Sequence, residues 1–436
     1  MLPILDIRSK RENESLDLPR PDLLGREDQK IVEDIIDEVR IRKDAALLEL
    51  TEKFDRVRLS SVVISAEEVR KSKEAVSGDL LSALESAAAS ITKFHQHRSP
   101  LPGIYENDGI SVTHMEVPVE SAGVYVPGGK AKYPSSVLMT AIPAKVAGVK
   151  RVVCCTPPNA EGKVAPEILA ACAVAGVDEV YSVGGAQAIA AMAYGTESVK
   201  AVDVICGPGS KLVSIAQSKV RSVVGVPSAF AGPSEVVVVA DKSTPASWAA
   251  MDLLVQAEHG PDGLSWLVTD SEEKAAEINS EIERLLPVSP RRSQIESTLA
   301  KGGYIVLAKD LTQGIRVVNE IAPEHLELMT ADPASLLPDI KNAGAIFVGN
   351  YAPATVGDYM AGPSHVLPTF RTAKFSSVLG VEDFVKRMHA ISFTDAALDK
   401  FGPHVAEIAL AEGLEAHRES VMMRIGKPTW SKTVLD

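Results

Sequence analysis

A chain of 436 residues is too long for one ordinary hydrophobic core, so two or more domains are expected. The composition, 45% apolar and 24% charged, is typical of a globular protein, and a net charge of −13 argues against nucleic-acid binding, which needs clustered Lys and Arg. The first residues lack the apolar core of a signal peptide, and no apolar run approaches the ~20 residues of a membrane span. The sequence therefore predicts a cytoplasmic protein that binds neither membranes nor nucleic acid.

The first part of the chain is predicted to be a short arm followed by helices. Residues 1–22 are charged and end near two prolines. Residues 27–54 and 66–97 carry apolar side chains at helical spacing. These helices are interpreted as scaffold.

From residue 117 onward, apolar strands and helices alternate. A first series has predicted strands at 124–126, 152–156, 179–183 and 202–206, three of which end in glycine-rich turns. A second series has predicted strands at 235–240, 266–269, 304–307 and 345–348. Repeated βα units of this length predict parallel, doubly wound sheets, in which ligands bind at the carboxyl ends of the strands.

The predicted fold class is therefore α/β, with two doubly wound Rossmann-like domains, mainly parallel sheets, and helical N-terminal and C-terminal extensions. The predicted boundaries are an arm at 1–22, a discontinuous first domain at 23–110 with 235–380, a second domain at 111–234, and a helical extension at 381–436. The four cysteines have no CxxC spacing and are predicted to be buried thiols.

Several polar pairs stand in unusual surroundings. Gln256 and His259 are three residues apart near the end of a predicted helix, where they would share one face. Asp358 and His365 lie in a Gly/Pro-rich loop, and Glu412 and His417 are five apart on a predicted helix. Each of these pairs alone is typical of a cap, a loop or a solvated face.

Glu324 and His325 place a carboxylate beside an imidazole in the apolar string APEHLEL at 322–328. Such neighbours can serve as acid and base if burial shifts their pKa values, although a loop leading into a strand is the ordinary interpretation. The dinucleotide fingerprint GxGxxG is absent, because GPGS at 207–210 lacks the third glycine. Spacing alone therefore does not predict an NAD site.

Taken together, longer strings spread over residues 34–421 closely resemble the histidinol dehydrogenase family. The strings are GVYVPGGK at 123–130, YPSSVLM at 133–139, GGAQA at 184–188, GPSE at 232–235, QAEH at 256–259, APEHLEL at 322–328, VGDY at 356–359 and HVLPT at 365–369. The resemblance implies an NAD-dependent, four-electron oxidation of L-histidinol to L-histidine through a bound aldehyde, histidinal, in histidine biosynthesis.

The resemblance also implies one zinc ion that positions the substrate, whose imidazole and amino nitrogens complete the coordination. Its protein ligands would be Gln256, His259, Asp358 and His417. In the family, the residue matched by His417 comes from the other subunit of a homodimer, so the active sites are shared.

Two residues match the catalytic positions of the family. His325 resembles the base that removes the alcohol proton as the first hydride leaves, and Glu324 resembles the base that activates water to attack the aldehyde. The substrate contacts implied by the resemblance are Ser234, Gln256, His259, His325, Asp358, His365, Glu412 and His417. The implied NAD contacts are Tyr125, Gln187 and Ser210.

The chain departs from the family pattern at Ser210, Ser364 and Thr140, where the family usually has Asn. Each keeps a hydroxyl but loses the paired donor and acceptor of an amide.

Other functions stay open at this point. A related zinc and NAD dehydrogenase would oxidise another small alcohol, such as a sulfonated diol, and a zinc hydrolase would activate water without a nicotinamide. The presence of His365, Glu412 and His417 favours histidinol. A non-catalytic binding protein is disfavoured because Glu324 and His325 are both present.

Overall fold

The computed structural model describes residues 2–11, 14, 16–19, 26–97, 103–128, 131–227, 234–260 and 262–430. Some sequence predictions fall outside these ranges. They are residues 1, 12–13, 15 and 20–22 of the predicted arm, 23–25, 98–102 and 261 of the first predicted domain, 129–130 and 228–233 of the second, which include parts of the GVYVPGGK and GPSE strings, and 431–436 of the C-terminal extension.

The strands are β1 (Ile4–Asp6), β2 (Val63–Ile64), β3 (Ile104–Asn107), β4 (Ile110–Pro118), β5 (Ser121–Tyr125), β6 (Arg151–Thr156), β7 (Glu179–Ser182), β8 (Val204–Cys206), β9 (Glu235–Ala240), β10 (Leu264–Thr269), β11 (Gly303–Leu307), β12 (His325–Met329), β13 (Ala345–Val348) and β14 (Val385–Phe393). The α-helices are α1 (Arg26–Asp55), α2 (Ala66–Lys71), α3 (Gly78–Gln96), α4 (Pro134–Ala147), α5 (Pro166–Ala175), α6 (Gly185–Tyr194), α7 (Lys211–Val220), α8 (Ala246–Ala257), α9 (Glu272–Leu285), α10 (Arg292–Gly302), α11 (Leu311–Ile321), α12 (Ala354–Tyr359), α13 (Asp395–Ala411) and α14 (Glu415–Arg424).

The chain divides into two compact units. The first comprises Met1–His97 and Val119–Phe384, and the second comprises Arg98–Pro118 and Val385–Asp436. The first unit contains a six-stranded and a five-stranded sheet. The second contains the antiparallel sheet β14-β4-β3 together with helices α13 and α14, which pack against each other.

The six-stranded sheet has the order β1-β11-β10-β9-β12-β13, and all of its strands are parallel. Its central strand β9 contains four consecutive valines, because helices cover both of its faces and every side chain of the run is buried. Val236 and Val238 share a core with residues of α8 and α9, whereas Val237 and Val239 share one with residues of α11. This alternation follows from the two-residue period of a strand.

The five-stranded sheet has the order β2-β7-β6-β5-β8 and is parallel except for the β2–β7 pair. Cys154, Cys172 and Cys206 lie in the core on one face, and Cys155 lies in the core on the other. All four cysteines are buried free thiols, as predicted.

The structure corrects the predicted grouping of residues 23–110 with 235–380. Helix α1 packs on α6 and α7, and α3 packs on α4, so both helices cover the five-stranded sheet. Val32, Val39 and Leu47 of α1 are buried in the same core as β5–β8 residues, which is why this helix belongs there. A helical period shows that one face is buried but does not show against which sheet.

The two ends of the chain also differ from the prediction. The arm at 1–22 contributes β1 to the six-stranded sheet, where Leu5 pairs with Val306. The predicted helical extension at 381–436 contains the nine-residue strand β14, whose partner along its whole length is β4. Most of β14 is exposed, so its apolar content did not distinguish it from a helix.

The α/β class and the mainly parallel sheets are confirmed. In the part of the chain that the structure describes, none of the helices combines the length and the apolar character required to cross a membrane.

Candidate functional site

The Glu324–His325 pair lies where β12 begins, beside the start of β9 in the same sheet. Glu324 directly precedes β12, and His325 is its first residue, in register with Val236. Both side chains are nearly buried, with residue exposures of 7% and 5%. The candidate site is therefore at the amino edge of the six-stranded sheet, whereas the glycine turns follow the carboxyl ends of β5, β7 and β8 in the other sheet.

Main-chain contacts fix both catalytic candidates. The Glu235 N–H donates to Glu324 Oε2 at 2.9 Å, and His325 Nδ1 lies 3.2 Å from the Glu235 carbonyl oxygen. A carbonyl only accepts hydrogen bonds, so neutral His325 must carry its proton on Nδ1. The lone pair of Nε2 is then left to act as a base.

Two carboxylates surround the His325 ring. Nε2 lies 3.7 Å from Asp358 Oδ1, and Nδ1 lies 3.5 Å from Glu324 Oε2. Burial opposes the charged ring, but these two carboxylates outweigh it and raise the pKa of His325 well above its usual range. Conversely, burial opposes ionisation of Asp358, but the neighbouring imidazoles outweigh it and lower the pKa of that carboxyl.

His365 is held as a neutral imidazole next to this group. Its Nδ1 lies 3.1 Å from the Asp358 carbonyl oxygen and must donate to it, so Nε2 accepts from the Ser136 hydroxyl at 3.3 Å. Burial lowers the pKa of His365 and outweighs the attraction of Asp358. The contact joins the start of α4 to the loop after α12.

Gln256 and His259 lie around the end of α8. The helix ends at Ala257, so Gln256 is in its last turn and His259 lies beyond it, rather than both standing on one helical face as predicted. Gln256 is 4% exposed, and its Nε2 has no hydrogen-bond partner among the described residues. An amide's oxygen and nitrogen are interchangeable by rotation, so this buried group has a free oxygen or nitrogen to offer a ligand.

His259 and Asp358 line one cavity of about 550 Å³ in the first unit. Its wall includes Glu258, Tyr359 and Arg291, while α3 and α4 supply an apolar side. The cavity thus joins the amino edge of the six-stranded sheet to the helix that follows β5. Its volume suits a small substrate.

The donor set fits a zinc ion, with a neutral amide, an imidazole and a carboxylate in the first unit. No cluster of three or more His, Cys, Asp and Glu side chains able to hold a metal occurs in the described ranges. That finding is compatible with the predicted set, because Gln256 is of another type and His417 belongs to the second unit. Glu412 and His417 are both exposed, at the end of α13 and in α14.

The predicted NAD contacts lie at the carboxyl edge of the five-stranded sheet. The Tyr125 hydroxyl accepts from the Gly185 N–H at 3.0 Å, at the first residue of α6. Gln187 follows in the first turn of α6 and is 1% exposed, whereas Ser210 is exposed immediately before α7. Two of the three side chains are therefore buried beneath the glycine turns.

The departures at Thr140 and Ser364 have local partners. Thr140 donates to the Ser136 carbonyl within α4 at 2.6 Å, and Ser364 donates to the Met139 carbonyl at 2.9 Å. Ser234 stands directly before β9, where its carbonyl accepts from the Leu264 N–H at 3.1 Å.

Sequence reasoning missed the polar residues that support the site. Ser136 is in the YPSSVLM string and Glu327 is in APEHLEL, but neither was assigned a role. The only sequence signal for Ser136 and Glu327 was their place in these strings. Their hydrogen-bond partners, His365 and Ala354, are distant in the chain.

Comparisons with known proteins agree on one family. The family model described as histidinol dehydrogenase matches residues 19–425. The histidinol dehydrogenase of Geobacillus kaustophilus is 45% identical over 402 residues, which are 92% of this chain and 95% of that relative. The histidinol dehydrogenase of Chlorobium chlorochromatii is 46% identical over 397 residues, 91% of this chain and 92% of the relative. The crystal structure of histidinol dehydrogenase from Elizabethkingia anophelis has a TM-score of 0.91 and 33% identity, covering 98% of each chain. This chain therefore belongs to the histidinol dehydrogenase family of oxidoreductases.

Proposed function

We propose that this protein oxidises L-histidinol to L-histidine in the cytoplasm, with two molecules of NAD as hydride acceptors and zinc as the resident metal. The observation that carries the proposal is the buried Glu324–His325 pair, held by the main chain of Glu235 beside the cavity that His259 and Asp358 line. This arrangement supplies two bases of different kinds at one place, as two successive oxidations require.

In the first oxidation, His325 is the proton acceptor. With Nδ1 donating to the Glu235 carbonyl, Nε2 takes the hydroxyl proton of histidinol as a hydride passes from the same carbon to NAD. The products are the bound aldehyde, NADH and the imidazolium. Glu324 and Asp358 stabilise that imidazolium.

In the second oxidation, Glu324 is the base. Its carboxylate removes a proton from water as the oxygen attacks the aldehyde carbon, and the His325 imidazolium returns its proton to the aldehyde oxygen, which gives the hydrated aldehyde. A second hydride then leaves this carbon for the second NAD as one hydroxyl proton passes to His325, and the resulting acid releases its remaining proton to give the carboxylate product. Glu324 is nearly buried, which limits the contact of this base with bulk solvent.

Zinc would be held by Gln256, His259, Asp358 and His417, with the unpartnered amide of Gln256 as the supporting observation. When bound, the metal supplies a fixed anchor for the substrate's nitrogens. The negative charge of Asp358 favours the protonated form of His325. A zinc ion bound to Asp358 would offset that charge and would therefore favour neutral His325, the form that acts as a base.

The two nicotinamides are proposed to bind in succession at the carboxyl edge of the five-stranded sheet, near Tyr125, Gln187 and Ser210. Support comes from α4, which follows β5 at that edge and lines the same cavity as His259. Ser234, His365 and Glu412 are proposed to contact the substrate, and the Glu412 carboxylate would bind the positive amino group of histidinol.

The activity is tested by adding histidinol and NAD to the zinc-loaded protein. We expect NADH absorbance to grow and two NADH to form per histidine. Dihydroxypropanesulfonate serves as the comparison substrate. Oxidation of the sulfonate alone would overturn histidinol as substrate, and absence of NADH with either alcohol would favour a zinc hydrolase.

A homodimer with shared active sites is proposed as the working assembly. Exposed apolar side chains support it, namely Ile346 and Val348 of the edge strand β13, and Tyr351, Tyr359 and Met360 beyond it in the chain. Exposed apolar surface of this kind is typical of protein interfaces. A second copy would supply Glu412 and His417 to the site.

Mixing two inactive variants tests the shared site. Asp358→Asn and His417→Ala chains, unfolded and refolded together, should regain about a quarter of the parent activity, because half of the dimers are mixed and each has one intact site. No recovery in demonstrably mixed dimers would mean that each site is built from one chain.

A further inference from the structure

Glu327 has a buried carboxyl group two residues beyond His325 on β12. It is 2% exposed, and by strand alternation its side chain shares a face with His325 and Met329. Met329 is in the core that contains α8, whereas Leu326 and Leu328 are in the core on the other face. Glu327 therefore points towards α8, behind the catalytic imidazole, and it has no part in the chemistry proposed above.

One oxygen of Glu327 holds the start of α12. Oε1 accepts from the Ala354 N–H at 2.7 Å, and Ala354 is the first residue of that helix. The Glu327 carboxyl oxygen thus satisfies a main-chain donor that an α-helix leaves unpaired at its first turn. Asp358 follows Ala354 by four residues, about one helical turn, so this contact fixes the helix that carries it.

The other neighbour of Glu327 is on α8. Burial and the charge of the partly buried Asp252 both raise the pKa of the Glu327 carboxyl, in keeping with the face of β12 on which Glu327 lies, which is the face covered by α8. Asp252 precedes Gln256 by four residues on α8, and residues at this spacing lie on one face of a helix. Glu327 therefore stands between the helix that carries Gln256 and the helix that carries Asp358.

We propose that Glu327 is a positioning residue, which sets the separation of Gln256 and Asp358 for a metal ion by joining α8 and α12 across β12. The inference rests on the proposed zinc site and extends it. Outer groups that orient metal ligands commonly change metal affinity ~10- to 100-fold when they are removed.

The test measures zinc affinity of the full-length protein after chelation, by competition with a chromophoric chelator. Glu327→Ala removes the acceptor for the Ala354 N–H and should weaken zinc binding ~10- to 100-fold. Glu327→Gln keeps an oxygen for that N–H and gains an amide donor for Asp252, so it should bind zinc nearly as the parent does. The visible absorption of bound Co²⁺ should change in Glu327→Ala and be restored in Glu327→Gln.

Asp241→Ala is the matched control. Asp241 also accepts a main-chain hydrogen bond, from the Ala331 N–H at 2.8 Å, but just beyond the carboxyl end of β9. It should lower stability without changing zinc affinity. If Glu327→Ala does not fold, Ala354→Pro removes the same donor at a helix position that tolerates proline.

The outcomes separate the two hypotheses. Parent-like zinc affinity and Co²⁺ spectra in Glu327→Ala or Ala354→Pro would overturn the positioning role while leaving the zinc enzyme intact. An equal loss of zinc affinity in Asp241→Ala would also overturn the positioning role, since a general loss of stability would then explain both results. A parent protein that binds no zinc would refute the metal site and the positioning role together.

Discussion

Replacing Glu324 with Gln should separate the two oxidations of the proposed reaction. The amide keeps the shape of the carboxylate, and its oxygen can still accept from the Glu235 N–H that Glu324 Oε2 contacts at 2.9 Å. His325 keeps its own contact with the Glu235 carbonyl. The variant should therefore fold and pass the first hydride, because His325 is still present as the base for the alcohol.

The second oxidation should slow by ~10²- to 10⁴-fold, the usual contribution of a positioned general base. That factor corresponds to about 3–5 kcal/mol of activation free energy. An amide does not remove a proton from water, so the bound aldehyde has no activated nucleophile. The pKa of His325 should fall as well, because one of its two neighbouring carboxylates is lost.

A rapid-mixing assay measures NADH in a single turnover with enzyme in excess over histidinol. The parent should form two NADH per histidinol, whereas Glu324→Gln should form one quickly and the second slowly. Glu320→Gln, which changes an exposed carboxylate, is the control and should behave as the parent. Equal slowing of both transfers in Glu324→Gln would refute the division of roles between Glu324 and His325.

Three further predictions concern backbone strain, pH and metal. Gly207→Ala should destabilise by more than about 3 kcal/mol in urea unfolding, because φ is +117° and an added Cβ would lie 2.2 Å from the Tyr125 carbonyl oxygen. Gly176→Ala, with φ +71° and open space, should cost only about 1 kcal/mol. Burial and the charge of Asp252 raise the pKa of Glu327 to about 8. The folded state then holds a proton that the unfolded chain releases, so the free energy of unfolding should fall as the pH rises from about 5 to 8, and Glu327→Gln should flatten this profile. Chelation should abolish histidinol oxidation without changing the circular dichroism, added zinc should restore it, and Asp358→Asn should raise the zinc needed ~10-fold or more.

Most central strands were predictable because burial on both faces leaves a continuous apolar run. The buried strand β12 was not among the predicted strands, because His325 and Glu327 interrupt its apolar run. The predicted strand at 152–156 is observed as Arg151–Thr156, and the one at 235–240 as Glu235–Ala240. Exposed or short strands were not predictable in this way. The strand β14 is mostly exposed, and its pairing with β4 joins segments more than 250 residues apart, which no local period reveals.

The candidate site was predictable as a set of residues but not as an arrangement. Long strings identified Glu324, His325 and Asp358, yet only the fold brings α12 against the start of β12. The general rule for parallel sheets also did not indicate where the Glu324–His325 pair would lie. A parallel sheet usually binds ligands at its carboxyl edge, but here the neighbouring sheet presents that edge to the cavity, and the six-stranded sheet contributes its amino edge.

The cysteine thiols in and against the five-stranded sheet can report local unfolding of that sheet without an added probe. Cysteine side chains on both faces of this sheet are out of reach of alkylating reagents while it is closed, and burial raises the pKa of Cys206, which keeps its sulfur in the unreactive form. The rate of alkylation under native conditions therefore measures how often this sheet opens. None of the cysteines is in the six-stranded sheet. The alkylation rate therefore distinguishes unfolding of the five-stranded sheet, where NAD is proposed to bind, from unfolding of the six-stranded sheet, which carries Glu324 and His325.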